Sequence, residues 1–375
     1  MRSNEFTIAL SERDQEEAIK EVSLKIKAVF PKRINCLIIL FTPNYNPSAI
    51  LKTLNFTLQP QKVLGLQSPL LIFEGKIIQK GIVACCINKE QMEWKEAYLA
   101  GTESQEIDSF LSSSLKDIKG KGFYHLSFAC AQFNPFTYIN RMNMSLGKVF
   151  NLRGAGFTKQ YSEFPPQIIN SSLNQGLVNV SIRGLQIDYL KLGGYLPIGK
   201  PFTITKAASG RGIINEINGL PAIDIYKQYL QEKFSVFAKN HLFSFYPLGV
   251  EADGTLRLIS IINHLEDGSL ACIGEVRQGS QGYIMFLDSD LLLKNLKNTL
   301  GTLENPEGGF VFMLNSLIRR KILRENSEAE IKLTKQILGD KVKIIGLYSD
   351  YSFFSDAQKG DIDIESGNAI ITLWK

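Results

Sequence analysis

The stretch that decides the fold reads Gly212-Ile213-Ile214-Asn215-Glu216-Ile217-Asn218-Gly219-Leu220-Pro221-Ala222. Glycines cluster from residue 209 to residue 220, and such a cluster predicts a joint between two parts of the chain. Proline is tolerated in the first turn of a helix because its missing N–H has no partner there. A helix is therefore predicted to begin at Asn218-Gly219-Leu220-Pro221. Its apolar face would comprise Ala222, Ile225, Tyr226, Tyr229, Leu230 and Phe234.

Helices and strands alternate on both sides of this joint. Apolar residues that recur every three or four positions predict helices over 13–30, 47–54, 107–118, 288–300 and 327–338. Short apolar or alternating runs predict strands over 35–41, 62–66, 81–87, 124–130, 177–182, 202–205, 242–246, 256–262, 284–287, 310–314, 342–348 and 369–374. Glycine-rich turns are predicted at 153–157 and 193–199. The pattern indicates an α/β or α+β chain with mixed sheets and no internal repeat.

Composition excludes several classes of protein. The 375 residues carry 42 Lys plus Arg and 37 Asp plus Glu, a net charge of +5 that is scattered rather than clustered. A dedicated nucleic-acid surface would need clustered basic residues, so no nucleic-acid partner is predicted. No apolar run approaches the ~18 residues that span a bilayer, and no secretory signal is visible. The chain is therefore predicted to be cytoplasmic, without membrane insertion.

Motifs for catalysis are missing from the sequence. There is no phosphate loop, no Gly-x-Ser-x-Gly elbow and no His-Glu-x-x-His. Gly154-Ala155-Gly156 lacks the third glycine of a dinucleotide fold and is interpreted as a tight turn. The five cysteines lie in or beside apolar runs, which predicts reduced, buried thiols. Glu328 and Glu330 lie on a predicted helix and are expected to face solvent.

One cofactor hypothesis survives this search. A haem iron needs a protein imidazole and an apolar, aromatic pocket, and His241 is followed by Phe243, Phe245 and Tyr246. On a strand, alternation would place His241, Phe243 and Phe245 on one face. His241 is then the candidate metal ligand. A plain aromatic core explains Phe243 and Phe245 equally well.

Four groups of segments form a recognisable pattern: Gly194–Gly199 with Phe202–Ala207, Gly212–Ala222, Tyr246–Gly249 with Leu256-Arg257 and Asp267–Leu270, and Gly309-Phe310 through Asn315-Ser316 with Arg319. Three further segments fit it more weakly: Leu64–Pro69, Gly81–Val83 and Arg153–Gly156. Together these segments resemble the FIST family (F-box and intracellular signal transduction). Two departures stand out: Gly346–Ser352 lacks the Gly-Glu that often ends a similar segment in the family, and Asn315 replaces the more usual cysteine.

The resemblance implies a two-part FIST fold with mixed, largely antiparallel sheets flanked by helices. Its N-terminal domain would span residues 1–220 and its C-terminal domain residues 221–375. Such modules accompany bacterial histidine kinases and chemoreceptors and have been proposed to bind small ligands such as amino acids. One branch resembles a haem-binding nitric-oxide sensor that controls a partner kinase. Residue usage also leans towards a bacterial source.

The predicted ligand cleft lies between the two parts, because ligand sites favour domain junctions. The glycine-rich segments Gly193–Gly199 and Gly210–Gly219 would border it. Glu275 is flanked by apolar residues and would either be buried opposite Arg277 or face water at a sheet edge. The candidate pocket residues are Arg153, Arg257, Glu275, Arg319 and Tyr348.

Three functional hypotheses follow. In the first, the chain is a ligand sensor, with or without haem, that regulates a partner histidine kinase or other signalling protein through direct contact. In the second, it is a scaffold whose family pocket is degenerate, as the altered Gly346–Ser352 segment suggests. In the third, it is an enzyme that uses Glu275 or a cysteine. No base is placed near a nucleophile, so no catalytic residue is assigned and a non-enzyme is predicted.

Overall fold

Four sheets flanked by helices make up the described part of the chain, and the predicted mixture of helices with largely antiparallel sheets is confirmed. No described helix is long and apolar enough to cross a membrane. The computed structural model describes residues 5–31, 34–89, 91–101, 103–115, 121–130, 135–146, 151–157, 167–208, 212–240, 242–252, 254–274, 276–302, 309–355 and 362–375.

The first of three units runs from residue 6 to residue 87. Every residue of its central strand Cys-Leu-Ile-Ile-Leu-Phe is buried, as expected for a strand covered on both faces. The Asn46 side chain caps the following helix by accepting from the N–H groups of Ser48 and Ala49. The elements are β1 (Phe6–Ser11), α1 (Gln15–Val29), β2 (Cys36–Phe41), α2 (Pro47–Thr57), β3 (Lys62–Gln67), β4 (Leu71–Phe73), β5 (Lys76–Ile78) and β6 (Ile82–Ile87).

The second unit repeats this order of elements from residue 93 to residue 183. Its first helix continues into a π-helix over Leu111–Leu115. The elements are β7 (Glu93–Leu99), α3 (Ser104–Phe110), β8 (Tyr124–Ala129), α4 (Pro135–Leu146), β9 (Asn151–Gly156), β10 (Gln167–Ile169), β11 (Ser172–Asn174) and β12 (Leu177–Arg183).

The third unit begins with β13 (Ile187–Leu192) and is then interrupted by a closed sheet. The closed sheet forms because β14 pairs with β20 along its first half and with β15 along its second half. Its elements are β14 (Tyr195–Ala208), β15 (Ile213–Ile217), β16 (Leu220–Pro221), α5 (Asp224–Leu230), α6 (Phe234–Lys239), β17 (Leu248–Ala252), β18 (Thr255–His264), β19 (Leu270–Ile273) and β20 (Gln281–Leu287).

After this insertion the third unit resumes in the same order as the other two. Asp288 caps α7 by accepting from the Leu291 N–H. The elements are α7 (Ser289–Gly301), β21 (Phe310–Ser316), α8 (Leu317–Leu323), α9 (Asn326–Leu338), β22 (Lys343–Ser349), β23 (Tyr351–Ser355), β24 (Ile362–Glu365) and β25 (Ala369–Trp374).

Two local predictions in the closed sheet are wrong. Asn218 and Gly219 have φ of 52° and 77° and form the turn of a β15–β16 hairpin, so the helix begins only at Asp224. Asn-Gly is the dipeptide that tight hairpin turns favour, and it outweighs the proline signal for a helix start. Residues 242–245 form a 3₁₀ helix rather than a strand, so strand alternation does not apply to Phe243 and Phe245.

Each unit's hairpin completes the sheet of another unit. The first sheet has the order β1-β6-β2-β3-β10-β11, the second β7-β12-β8-β9-β23-β24, and the third β13-β25-β21-β22-β4-β5. The first four strands of each sheet come from one unit and the last two from a different one. Each sheet contains one parallel pair, which is β2–β3 in the first sheet, β8–β9 in the second and β21–β22 in the third. The other pairings are antiparallel. The expectation of no internal repeat is therefore wrong at the level of topology.

Hydrogen bonds show the repeat at single-residue level. In every unit one strand (β3, β9 or β22) lies next to the hairpin that another unit adds to its sheet, and a backbone N–H of this strand donates to a side chain of that hairpin. The Val63 N–H donates to Asn170 at 3.1 Å, the Ile344 N–H to Glu74 at 2.7 Å and the Leu152 N–H to Ser355 at 3.0 Å. An amide, a carboxylate and a hydroxyl perform the same task. The repeat therefore cannot be recognised from residue identities at these positions.

A single apolar core lies between the three sheets. Leu40 of the first sheet, Phe128 of the second and Phe312 of the third belong to this cluster. Separate clusters fill the closed sheet and the spaces beneath the outer helices. The second and third sheets both take strands from either side of residue 220. The division into domains 1–220 and 221–375 stays a prediction. It refers to segments of the sequence, because strands from both segments share these two sheets.

Gly154 shows why the predicted turn at 153–157 is strand β9. A Cβ at Gly154 would overlap the Ser127 carbonyl of β8 and lie 2.8 Å from the Phe353 ring. The glycine therefore permits close approach of β8 and β9 rather than a turn.

Gly154→Ala is expected to lower the free energy of unfolding by about 1–3 kcal/mol, because the added methyl overpacks a closed interior. Gly301→Ala is the control, since nothing lies within 4 Å of a Cβ there. Urea unfolding measures both variants. Equal stability of the two variants would contradict the close-approach explanation.

Candidate functional site: a buried polar centre

A group of polar side chains lies at the carboxyl ends of the parallel strands β21 and β22. Asn315 and Tyr348 are register partners on these two strands. Ligand sites in sheets with parallel strands favour this end. We call this group the polar centre; it comprises Tyr195, Asn315, Arg319, Glu330, Tyr348 and Ser366.

An ion pair between Arg319 and Glu330 forms the middle of the polar centre. Arg319 donates from Nη2 to Glu330 Oε1 at 2.6 Å and from Nε at 3.0 Å. The two side chains are only 1% and 0% exposed. Asn315 Nδ2 also donates to Glu330, at 3.3 Å. Because a desolvated charge is costly without a partner, each member of this pair requires the other.

The third guanidinium nitrogen of Arg319, Nη1, contacts the backbone where the chain enters the closed sheet. It lies 3.1 Å from the Gly193 carbonyl and 3.3 Å from that of Leu192. It also lies 3.4 Å from the carbonyl of Gly367, in the turn between β24 and β25. One guanidinium thus joins α8, the end of β13 and a turn of the third unit.

Three hydroxyl groups of the polar centre are buried without a hydrogen-bond partner among the described residues. They belong to Tyr195, Tyr348 and Ser366. The Tyr195 hydroxyl is close to the Gly367 turn, because a Cβ at Gly367 would lie 2.7 Å from it. Burial raises the pKa of both tyrosines well above the usual range, and Glu330 raises it further. Both hydroxyls therefore stay protonated and can donate.

Two of the predicted pocket residues, Arg319 and Tyr348, meet in the polar centre. Arg153 lies elsewhere, fully buried between the second and third sheets, with its guanidinium 3.4 Å from the Tyr189 ring centroid. It also donates to Ser355 at 2.9 Å. Arg153 is therefore part of a sheet-to-sheet contact.

Arg257 lines a separate cleft between the closed sheet and the second unit. Its Nη1 donates to Asp363 at 2.7 Å, and Gly212 and Phe136 lie on the walls. The cleft encloses about 20 Å³, which is roughly the space of one water molecule. One predicted border residue, Gly212, thus reaches a junction cleft, but the space is too small for a metabolite. Glu275 and Gly210 lie outside the described residues.

The aromatic residues proposed to surround haem form a packed cluster. Phe243 is fully buried, with ring centroids at 5.0 Å from Phe237, 5.2 Å from Tyr226 and 5.5 Å from His264. Phe245 is half-buried, and Tyr246 is 37% exposed with its ring 5.8 Å from Phe237. His241, the candidate iron ligand, lies outside the described residues. The described rings match the alternative of a plain aromatic core.

Sequence reasoning missed Glu330, Tyr195 and Ser366. Glu330 was expected to face solvent, yet it is completely buried, whereas Glu328 on the same helix is exposed. The signal was available in the spacing: Ser327, Glu330, Ile331 and Thr334 form one buried helical face. A glutamate is usually exposed to solvent, and the burial of Glu330 is explained only by the position of Arg319.

Family models match most of the chain: the FIST N domain over residues 36–220 and the FIST C domain over residues 222–350. These domains are sensory and signal-transduction modules, which sets the class of protein. The chain belongs to the FIST family, as its sequence segments predicted.

Comparison with other proteins adds little beyond the family. No curated protein matches the sequence significantly. Among solved structures, a cyanuric acid hydrolase from A. caulinodans matches with 7% identity and a TM-score of 0.40, covering 99% of this chain and 98% of that one. A likeness of this degree supports no conclusion about activity.

Arg319→Met is expected to lower the free energy of unfolding by about 3–5 kcal/mol, because Glu330 would be left buried and unpaired. Combining it with Glu330→Leu should recover much of that loss. Lys20→Met, which removes an exposed pair with Glu16, is the matched control and should change stability by less than about 1 kcal/mol. Denaturant unfolding would test this, and a double variant no more stable than Arg319→Met would speak against the pair as described.

Proposed function

We propose that this FIST protein is a cytoplasmic sensor that holds a small polar ligand at the polar centre and signals to a protein partner. The observation that carries the proposal is that three buried hydroxyls have no partner among the described residues. Those of Tyr195 and Tyr348 lie within the influence of the Arg319 and Glu330 charges, and Ser366 precedes the Gly367 carbonyl that Arg319 contacts. A buried polar group without a partner costs about 1–3 kcal/mol. A ligand that offers hydrogen-bond acceptors to these hydroxyls would remove that cost.

The surroundings favour a ligand without large net charge. The charges of Arg319 and Glu330 cancel, because the two side chains pair with each other, and the guanidinium also donates to backbone carbonyls. The two tyrosine hydroxyls and Ser366 then provide the free hydrogen-bonding capacity. A small zwitterion such as an amino acid, the ligand type that the family resemblance implies, suits this arrangement.

The route of the signal would be the strand that links the third unit to the closed sheet. Arg319 holds the carbonyls of Leu192 and Gly193, and Tyr195 is the first residue of β14. A ligand bound to Tyr195 would therefore act on the point where the closed sheet joins the rest of the molecule. The partner, in a bacterial cell, would be a histidine kinase or another signalling protein that contacts the closed sheet.

A narrower form of the proposal is a haem-based nitric-oxide sensor with His241 as the iron ligand. The described aromatic residues do not fit this group, because their rings already touch and would have to separate to admit a macrocycle. The haem form predicts a Soret band in protein purified from haem-supplied cells, lost in His241→Ala. Protein without such a band would leave only the haem-free form.

Two other functions compete with the sensor. In a scaffold protein with a degenerate pocket, ordered water rather than a ligand would satisfy the three hydroxyls. A cysteine-dependent enzyme would need a thiolate, but burial raises the pKa of Cys36, Cys86 and Cys272 to about 12. Thiols of this kind are protonated and inert at neutral pH, which supports the non-enzymatic proposal.

Tyr348→Phe separates the sensor from the scaffold. The variant removes a hydroxyl that has no hydrogen-bond partner among the described residues, so the free protein should unfold at the same or a slightly higher temperature. A screen of amino acids by thermal shift should give at least one ligand that stabilises the wild type, by about 2.7 kcal/mol at a hundredfold excess over its Kd. That stabilisation should fall strongly in Tyr348→Phe.

Tyr124→Phe is the matched control, because the buried Tyr124 hydroxyl also has no partner in the described part of the chain but lies in the core between the sheets. It should retain the full ligand-induced shift. If no compound stabilises the wild type, or if both variants lose the shift equally, the polar centre is not the ligand site.

A further inference from the structure

A groove of about 440 Å³ runs along the edge strand β7, where the second sheet meets the first. Ligand sites of small molecules have volumes of roughly 300–1,000 Å³, so this groove is large enough for one. An adjoining groove of about 480 Å³ shares Ser113 and Ser114 with it. The groove is lined by Lys62, Trp94, Lys95, Glu96, Ala97, Ser113, Ser114 and Ser181.

The three sheets meet in pairs, and we call each meeting place a corner. The groove lies at the corner of β3 and β7, and the threefold repeat allows it to be compared with the corners of β9 and β13 and of β22 and β1. Between the second and third sheets the guanidinium of Arg153 stacks on Tyr189 at 3.4 Å. At the equivalent register positions between the third and first sheets stand Ile345 and Ile8. Side chains of the chain itself occupy both of these corners.

The corner of the groove differs in the residues at these same positions. Leu64 stands at the register position of Arg153, and Glu96 at that of Tyr189. Glu96 is partly satisfied, because Lys62 lies 2.6 Å from Oε1 and Asn170 also donates to that atom. Its Oε2 has no partner among the described residues. This corner is therefore polar and incompletely filled.

Trp94 supplies a second buried group without a partner. Trp94 is one of the groove's lining residues and is 8% exposed, and its Nε1–H makes no hydrogen bond within the described part of the chain. Its indole belongs to the core between the sheets, on the face of β7 opposite to Lys95. The indole therefore borders the groove and can report on a ligand bound there.

The opposite wall of the groove is the π-helix Leu111–Leu115. Single π-turns inside helices occur frequently at functional sites. Here the wide turn directs Ser113 and Ser114 towards both grooves, and the Ser113 hydroxyl donates to the Ser109 carbonyl at 2.8 Å. Hydroxyls at this position can serve a ligand in either role.

The floor of the groove is neutral. Ser181 receives Asn179 Nδ2 at 3.0 Å and lies 2.8 Å from His125 Nδ1. Burial lowers the pKa of His125 to about 3, so the imidazole is uncharged at neutral pH. The groove's charge is therefore set by Lys62, Lys95 and Glu96, which leaves an excess of one positive charge.

We propose that this groove is a second binding site, distinct from the polar centre, for a small organic anion that carries a carboxylate or phosphate group. Lys95 neutralises the anion and the Ser114 hydroxyl donates to its oxygens, while Lys62 stays with Glu96. Two lysines and one carboxylate line the groove, which favours an anionic ligand.

Tryptophan fluorescence tests the site directly, because the chain contains two tryptophans and Trp374 is fully buried with its Nε1–H bonded to Thr372. Succinate and inorganic phosphate are titrated separately as the two probes. At least one should produce a saturable change in emission that disappears in Trp94→Phe. Lys95→Met should weaken the affinity about tenfold or more.

Lys297→Met is the matched control, because it also removes one exposed lysine but lies on α7, far along the chain from the groove. It should leave the affinity unchanged, and the pair Ser113→Ala with Ser114→Ala should weaken it. A response to succinate alone identifies a carboxylate site, and a response to phosphate alone identifies a phosphate site. The proposal is overturned if neither probe gives a saturable change, or if Lys95→Met and Lys297→Met behave alike. Tyr348→Phe should not affect these titrations, which keeps the result separate from that for the polar centre.

Discussion

The structure depends on the exchange of hairpins between its three units. A four-stranded sheet from one unit exposes an edge and buries only part of its apolar face, and a hairpin from another unit extends it. Because the exchange is cyclic, the three sheets enclose one core to which all three contribute. A unit removed from this arrangement would lose the strands that complete its sheet. The family boundary near residue 220 therefore divides the sequence but not the sheets.

The closed sheet interrupts the third unit at the same end of the molecule as the polar centre. The joint is held by a fully buried guanidinium that contacts the backbone on both sides of the insertion. A buried ion pair adds little net stability compared with apolar packing, but breaking it is costly. Such a pair fixes one arrangement of the two parts. That property suits a sensory module, in which a change at a ligand site must reach a distant surface.

The repeat also explains why sites arise in some places and not in others. The three corners are equivalent in backbone register, yet an arginine on a tyrosine occupies one, isoleucines occupy another, and the third contains Glu96 with an open groove beside it. Substitutions at equivalent positions thus change a packed corner into a polar one without changing the sheets. Among the described residues, buried polar atoms without partners occur both at the polar centre and beside the groove.

The sequence by itself determined the main helices, the fully buried central strands, the burial of all five cysteines and membership of the FIST family. These features follow from local periodicity and from short motifs that can be recognised in the sequence. It did not show the threefold repeat, since Asn170, Glu74 and Ser355 accept the same hydrogen bond with different chemistry. Nor did it show that Glu330 is buried, because the reason is an arginine on another helix. Only tertiary structure decides such pairings, since burial of a charge depends on a partner that folding brings near.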